Sequence, residues 1–350
     1  MRIAIMGAGS LGTIIGALIA DGGENVELID INRSHVDALN KSGAKLSGFI
    51  NKTIPVRAIT PDELQGQYDL VFLLTKQVYN KESLAQLLPC LHAESIVCTL
   101  QNGVPENDVA SSVGAERTIG GVVGFGATWK GHGQSELTTE WDIVKKYAFD
   151  IGEVNGELTP RLEKVKAVLD HVGHCNITSD IMGIKWSKLL MNATFSGMSA
   201  ALGCTFGEVL SNKGAMESLA HIADETIKTA HSLGVRLATM QGKDMEFLEL
   251  KANESVQEKM EFYHEVWNPH KNLKASMLQD LEKKIKTEIN FINGHVSENG
   301  RKNGIPTPFN DLVVELVTAA EQLQVVPDMS VNLEHFKRLN GKKAEKVIST

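Results

Sequence analysis

Apolar residues arrive first in short bursts. Runs at 3–6, 26–29, 70–74, 95–100, 118–125 and 147–151 are strand-length and rich in Ile, Val and Leu, as strands buried on both faces are. Between them, 34–42, 82–91 and 105–113 carry apolar positions at helical spacing. Strand alternating with helix predicts a parallel, doubly wound sheet. Glycines crowd 120–133 and predict strands joined by a hairpin beyond the parallel part. A helix opening at Pro160 and a strand at 174–178 end this half. From about residue 180 the period changes, with helical patterns at 184–201, 214–233, 244–267, 287–304 and 310–323.

The first strand runs straight into Gly7-x-Gly9-x-x-Gly12, a helical pattern follows, and the second apolar run ends in Asp30, eighteen residues after Gly12. Strand, glycine turn, helix, strand and acid is the order of a dinucleotide site. Gly7 permits the tight turn, Gly9 lets the backbone approach a pyrophosphate, and Gly12 lets the helix pack on the strand. Ser10 and Leu11 open that helix, whose free N–H groups face the phosphates. Asp30 stands where a carboxylate accepts from the adenosine ribose. A carboxylate there also repels a 2′-phosphate, so NADH is favoured over NADPH, with Arg33 as a partial counterweight. The expected fold is therefore an α/β Rossmann-type doubly wound sheet followed by an all-α C-terminal domain. Residues 1–178 form the dinucleotide-binding domain and 179–350 a helical substrate and catalytic domain, with substrate in the cleft between them.

Composition narrows the setting. The 350 residues are 42% hydrophobic and 22% charged with a net charge of −8, which argues against nucleic-acid or anionic-membrane partners. Basic residues Lys337, Arg338, Lys342, Lys343 and Lys346 read as a solvated tail. Apolar residues after Arg2 loosely mimic a leader, but strand–turn–helix is the better reading. No run reaches the length of a membrane span. Cysteines 90, 98, 175 and 204 show no paired spacing, and the eleven histidines no metal-ligand spacing. The expectation is a cytoplasmic protein without a metal.

Three segments set polar groups among apolar ones. Thr75-Lys76 follows the third strand, at the sheet edge where ligands bind. Lys76 is placed to contact the cofactor or draw an anionic substrate, or is simply a solvated loop lysine. Asn102, in Gln101-Asn102-Gly103, follows the fourth strand and offers a donor and an acceptor, or merely makes a turn. Lys188, Asn192 and Ser196 fall at i, i+4 and i+8 of one helix among Trp186, Leu189, Leu190, Met191 and Phe195. A lysine there is either half-desolvated for a purpose or snorkelling to water.

These segments, with Lys274-Ala-Ser276-Met-Leu-Gln-Asp280 and Thr287-Glu288-Ile-Asn-Phe-Ile-Asn293-Gly294, resemble the ketopantoate reductase (2-dehydropantoate 2-reductase) family in order, over residues 1 to about 325. The resemblance implies hydride transfer from NAD(P)H to the keto carbon of a 2-oxo acid, in pantothenate synthesis. It implies Lys188 as general acid and Glu288 as a partner that holds and orients substrate. Asn102 would lie beside the nicotinamide, and Asn192 and Ser276 would hold the substrate's hydroxyl and carboxylate. Ser276 and Glu288 are 12 residues apart, roughly 18 Å along one helix. Both reach one small substrate only if the helix breaks at about 281–286, with Thr287 capping a new one.

The chain departs from the family at Ser196, usually asparagine, at Asn290, commonly aspartate, and at Lys284, where a glycine is common. The stretch 241–272, with Phe247, Phe262, Tyr263 and Trp267, is longer than the norm and reads as helical core or as a wall of the pocket. Asp30 and Ser196 lean toward a close alternative, an NAD-dependent D-2-hydroxyacid dehydrogenase of bulkier acids. A non-catalytic dinucleotide sensor predicts loss of the lysine or glutamate, and both are present. Apolar helices in the second domain leave a homodimer open.

Overall fold

The computed structural model describes residues 1–240, 242–251, 254 and 256–348, with side chains to residue 341. The chain divides into two compact units, Met1–Met182 and Gly183–Thr350, the division falling in the first turn of the helix Ile181–Met191.

The first unit is built on twelve strands: β1 (Arg2–Met6), β2 (Asn25–Ile29), β3 (Ala44–Gly48), β4 (Lys52–Ile54), β5 (Arg57–Ile59), β6 (Tyr68–Leu73), β7 (Leu91–Thr99), β8 (Thr118–Val123), β9 (Ala127–Gly131), β10 (Gln134–Leu137), β11 (Phe149–Gly152) and β12 (Cys175–Ile177). Eight form one sheet in the order β12-β11-β8-β7-β6-β1-β2-β5. All neighbours in it are parallel except β11 against β8. Alternate side chains of a strand enter opposite faces. Ile3 and Ile5 therefore join a core with Ile14, Ile15 and Leu18 of the helix Ser10–Asp21. Ala4 and Met6 join another with Leu84, Leu87, Val109 and Val113 of the helices Asn80–Leu87 and Glu106–Val113. Truncating Ile5 to alanine there costs about 2–5 kcal/mol.

The hairpin expected in the glycine-rich stretch is β9–β10, antiparallel. It does not extend the main sheet. It joins β3 and β4 in a second sheet ordered β4-β3-β10-β9.

The second unit is helical. Lys213–Ser232 and Pro308–Leu323 follow the expected periods. The period at 244–267 is instead split into a short 3₁₀ turn, Met245–Leu248, and the helix Val256–Trp267. That at 287–304 becomes a 3₁₀ turn, Ile289–Phe291, and the helix Asn293–Lys302. The solvated tail is corrected to a helix, Met329–Ile348, which buries Leu333 and Phe336 and leaves Lys337 and Arg338 exposed. The side chains of Lys342, Lys343 and Lys346 lie outside the described residues.

Candidate active site

Sheet register creates the first half of the site. Met6 is level with Ile29 and Leu73, and Leu73 with Thr99. The residues that follow, Gly7, Asp30, Leu74 and Leu100, thus leave one common carboxyl edge. Gly7 has φ +102°, and a Cβ there would lie 2.5 Å from Thr75 N. A Cβ on Gly12 would strike Gly7 O, whereas one on Gly9 meets no protein atom within 4 Å. Gly7 and Gly12 are thus required by the fold, and the open space at Gly9 is what a pyrophosphate needs. Gly9 is the N-cap of Ser10–Asp21 and brings no side-chain cap. The first-turn N–H groups at Ser10 and Leu11 suit a bound anion. The residues present fit a dinucleotide.

Beside this loop, Gln101 stitches two loops together. Its Nε2 donates to Thr75 O at 2.6 Å and to Asn80 Oδ1 at 2.6 Å, while Thr99 Oγ1 donates to its Oε1 at 3.1 Å. Gln77 Nε2 donates to Asn102 O at 2.5 Å. Lys76 and Asn102 are half-buried on these loops, and Gly103 turns with φ +73°. Gln101, Gln77 and Asn80 were not singled out in the sequence. Their signal is that three amides fall within a few residues of two strand ends.

Asp30 is half-buried and accepts from Asn32 N at 2.9 Å. Arg33 is turned to other partners. Its Nη1 lies 2.9 Å from Glu63 Oε1, its Nη2 2.5 Å from Thr60 Oγ1 and 3.8 Å from Asp62. Glu63's carboxylate is held below its usual range by the Thr60 backbone N–H and by Arg33.

His35 clamps the glycine loop from beneath. Wholly buried, its Nδ1 accepts from Gly133 N at 2.8 Å. That bond fixes the proton on Nε2, which donates to Ala8 O at 2.8 Å. Thr13 Oγ1 donates to the same carbonyl at 2.7 Å. Burial lowers the His35 pKa, against the opposing effect of the Ala8 bond. Trp129 packs on the ring at 4.6 Å between centroids.

The second half lies in the helical unit. Along the otherwise buried helix Ile181–Met191 and its continuation, Ile184, Lys188, Asn192 and Ser196 are half-buried. One stripe at four-residue spacing is thus partly open. Residues Asn192–Ser196 form a π turn, followed by the α-helix Gly197–Leu202. Two α-turns take 7.2 residues. A π turn takes about one residue more, so eight residues return close to the same face. Burial and the charge of Lys185 push the Lys188 ammonium down to about 8, while the negative charge of Glu288 works the other way. A proton held at that strength is available to a nascent alkoxide near neutral pH.

The helix carrying Ser276 ends where expected. Ser276–Glu282 stops before a turn at Lys283 and Lys284. Lys284 has φ +58°, the left-handed conformation that a glycine adopts without strain. Ser276 is exposed at the first position of this helix, which lies against the π turn. The Thr287 hydroxyl accepts from Ile289 N at 3.2 Å, capping a 3₁₀ turn rather than an α-helix. Glu288 is 9% exposed. Asn290 is exposed at the second position of that turn.

The long 241–272 stretch supports the π turn. Trp267 stacks near Phe195, 4.4 Å between centroids, with Phe206 and Tyr263 around it. Phe247 and Phe262 stack on each other at 5.6 Å. Ring-on-ring packing of this kind contributes about 0.5–1.5 kcal/mol per pair beyond area burial. His231, Glu246 and Glu249 converge within 4.8 Å, a grouping no local spacing announced. Arg236 Nη1, 3.6 Å from Glu246 Oε2, already supplies a positive charge there.

Comparison with known proteins agrees with this arrangement. The family model for ketopantoate reductase PanE/ApbA matches residues 3–148, and that for the C-terminal domain of the same family matches 180–321. A 2-dehydropantoate 2-reductase from Pyrococcus horikoshii is 30% identical over 329 residues, covering 92% of this chain and 98% of that protein. Among solved structures, D-mandelate dehydrogenase with NADH and anilino(oxo)acetate is 25% identical with a TM-score of 0.79, over 93% of this chain and 99% of that one. A 2-dehydropantoate 2-reductase from Geobacter metallireducens is 28% identical with a TM-score of 0.76, over 91% and 100%. With a helix-capped glycine loop on a parallel sheet, a tuned lysine in a helical unit and family matches along both, the chain belongs to the ketopantoate reductase family.

Proposed function

We propose that this protein reduces the keto group of a 2-oxo acid, 2-dehydropantoate foremost, with NAD(P)H as hydride donor and Lys188 as general acid. The observation that carries this reading is Lys188, half-buried on its stripe with its pKa brought to about 8. A reduced nicotinamide, when bound, supplies the hydride. Gly7, Gly9, Ser10, Leu11 and Gly12 hold its pyrophosphate, Asp30 its ribose, and Lys76 and Asn102 the part nearer the reacting end. Negative charge then develops on the keto oxygen, and the Lys188 ammonium stabilises it and gives up its proton. Glu288 keeps that proton on until it is needed and accepts from the substrate hydroxyl. Asn192, Ser196 and Ser276 supply donors for the remaining hydroxyl and carboxylate oxygens. In this reading residues 1–178 bind the dinucleotide and 179–350 bind substrate.

NADH is the preferred donor. Asp30 repels a 2′-phosphate, and Arg33 is engaged by Glu63 and Thr60. The same feature favours a second reading, a D-2-hydroxyacid dehydrogenase for bulkier acids, as does likeness to the NADH-bound mandelate enzyme. A homodimer is also proposed. Leu323, Val325, Val326 and Val331 expose apolar surface around the turn between the last two helices, and sedimentation tests it. Cys90, Cys98, Cys175 and Cys204 are buried free thiols, which suits the cytoplasm. Among the described residues no helix is long and apolar enough to cross a membrane.

The deciding experiment is kcat/KM for 2-dehydropantoate beside phenylglyoxylate, with NADH and NADPH. Preference for 2-dehydropantoate supports the first reading, preference for the aromatic acid supports the second, and turnover of neither refutes both.

A further inference from the structure

A π turn is rarer than an α-turn and needs partners for the carbonyls it displaces. Here those partners can be named. Thr194 Oγ1 donates to Leu190 O at 2.7 Å, and lies 3.1 Å from Met191 O. Ala193 O accepts from Asn293 Nδ2 at 3.0 Å, across a hundred residues of sequence. Asn293 is wholly buried, and its Nδ2 also donates to Asn310 Oδ1 at 2.9 Å. Asn310 in turn donates to Glu225 Oε2 at 2.8 Å, and Glu225 accepts the Phe309 and Asn310 backbone N–H groups at 3.0 Å each.

The chain orients this amide unambiguously. Flipping Asn293 would set its oxygen against two other oxygens, Ala193 O and Asn310 Oδ1. Gly197 completes the fit from the opposite side, for a Cβ there would lie 2.6 Å from Asn293 Oδ1. Its φ of −61° is an ordinary helical value, so space and not backbone freedom demands the glycine. Asn293 also begins its helix five residues after Glu288, so one side chain ties the Glu288 segment to the helix that carries Lys188.

We infer that Asn293, seated against Gly197 and held by Asn310 and Glu225, is a positioning residue for the reduction. It touches no substrate. It holds the π turn that brings Lys188, Asn192 and Ser196 onto one face, and fixes Glu288 relative to Lys188. The inference rests on the proposed 2-oxo acid reduction.

The test is steady-state kinetics of Asn293→Ala, Gly197→Ala and the double variant, with NADH affinity followed by fluorescence. Each single variant should lose about tenfold to a hundredfold in kcat/KM for the 2-oxo acid, the scale of an ångström-sized misplacement. NADH affinity should stay at the wild-type value, and the alkaline limb of the pH–rate profile should move from its wild-type position. In the Asn293→Ala background the added methyl at 197 has room, so Gly197→Ala should cost nothing further. Additive losses, or folded single variants with wild-type kcat/KM and an unmoved limb, overturn the role of Asn293. If Asn293→Ala fails to fold, Gly197→Ala alone decides through its kinetics and its limb. A wild-type enzyme that reduces no 2-oxo acid is a different failure, since it removes the proposed function and this inference with it.

Discussion

Lys185 stands one helical turn before Lys188, and its positive charge joins burial in driving the proof proton off Lys188 while Glu288 opposes both. Reduction needs the protonated lysine, so kcat/KM should fall as pH rises past about 8. Lys185→Met removes the like charge and should move this limb to higher pH. Glu288→Gln removes the favourable charge and should move it lower, whatever it does to the absolute rate. Profiles of the three proteins check this, and limbs that coincide would remove the electrostatic account.

A lysine with its pKa lowered from 10.5 to about 8 weakens the fold. Between those values the unfolded chain binds more protons than the folded one, so stability rises with pH across that window. The penalty is full below about 8 and gone above 10.5. Lys188→Met should therefore abolish turnover and yet stabilise the protein, by on the order of 1–3 kcal/mol near neutral pH. Denaturant unfolding at about pH 7 and about pH 9.5 should show the gain shrinking at the higher pH.

Cofactor choice should follow Asp30 and the Arg33–Glu63 pair. Asp30→Ser removes the repulsion, and should raise the NADPH-to-NADH ratio of kcat/KM by about tenfold, the equivalent of roughly 1.4 kcal/mol. Adding Glu63→Ala frees Arg33 and should raise it again. A ratio unchanged in both variants means that another group reads the 2′ position.

His35 should make the glycine loop sensitive to acid. Its pKa is lowered from 6.5, with Asp30 favouring the charged ring and His132 opposing it. The neutral ring's contribution is therefore complete above about 6.5 and is lost as pH falls through the lowered value. Protonation puts an N–H on Nδ1 and breaks the bond from Gly133 N. NADH binding and thermal stability should weaken together on acidification. Asn keeps an acceptor for Gly133, and Gln keeps a donor for Ala8 O. Either substitution should flatten the acid slope, and a slope unchanged in both assigns it to other groups.

How much of this was legible follows from where each signal lies. The central strands could be read because strands buried on both faces are apolar throughout, as in β1 and β6. β4 and β5 are three residues long and mostly exposed, so no apolar run marks them. The glycine at 7 is visible because both its positive φ and its contact with Thr75 demand it. The π turn leaves no mark in hydrophobic period, since one extra residue in a buried helix exposes nothing. Lys284 was noticeable only against the family's glycine, and its φ of +58° supplies the reason. Arg33 was read as a phosphate ligand because its partner, Glu63, lies thirty residues on. The stretch at 241–272 gave its aromatics by sequence but not their target, Phe195.

The most direct test of the account is Lys188→Ala assayed beside wild type for turnover and NADH binding. If Lys188 is the general acid, kcat should fall by about a hundredfold or more, with NADH affinity unchanged because the dinucleotide loop is untouched. Near-normal turnover would contradict the account, since no other group here is assigned to protonate the keto oxygen.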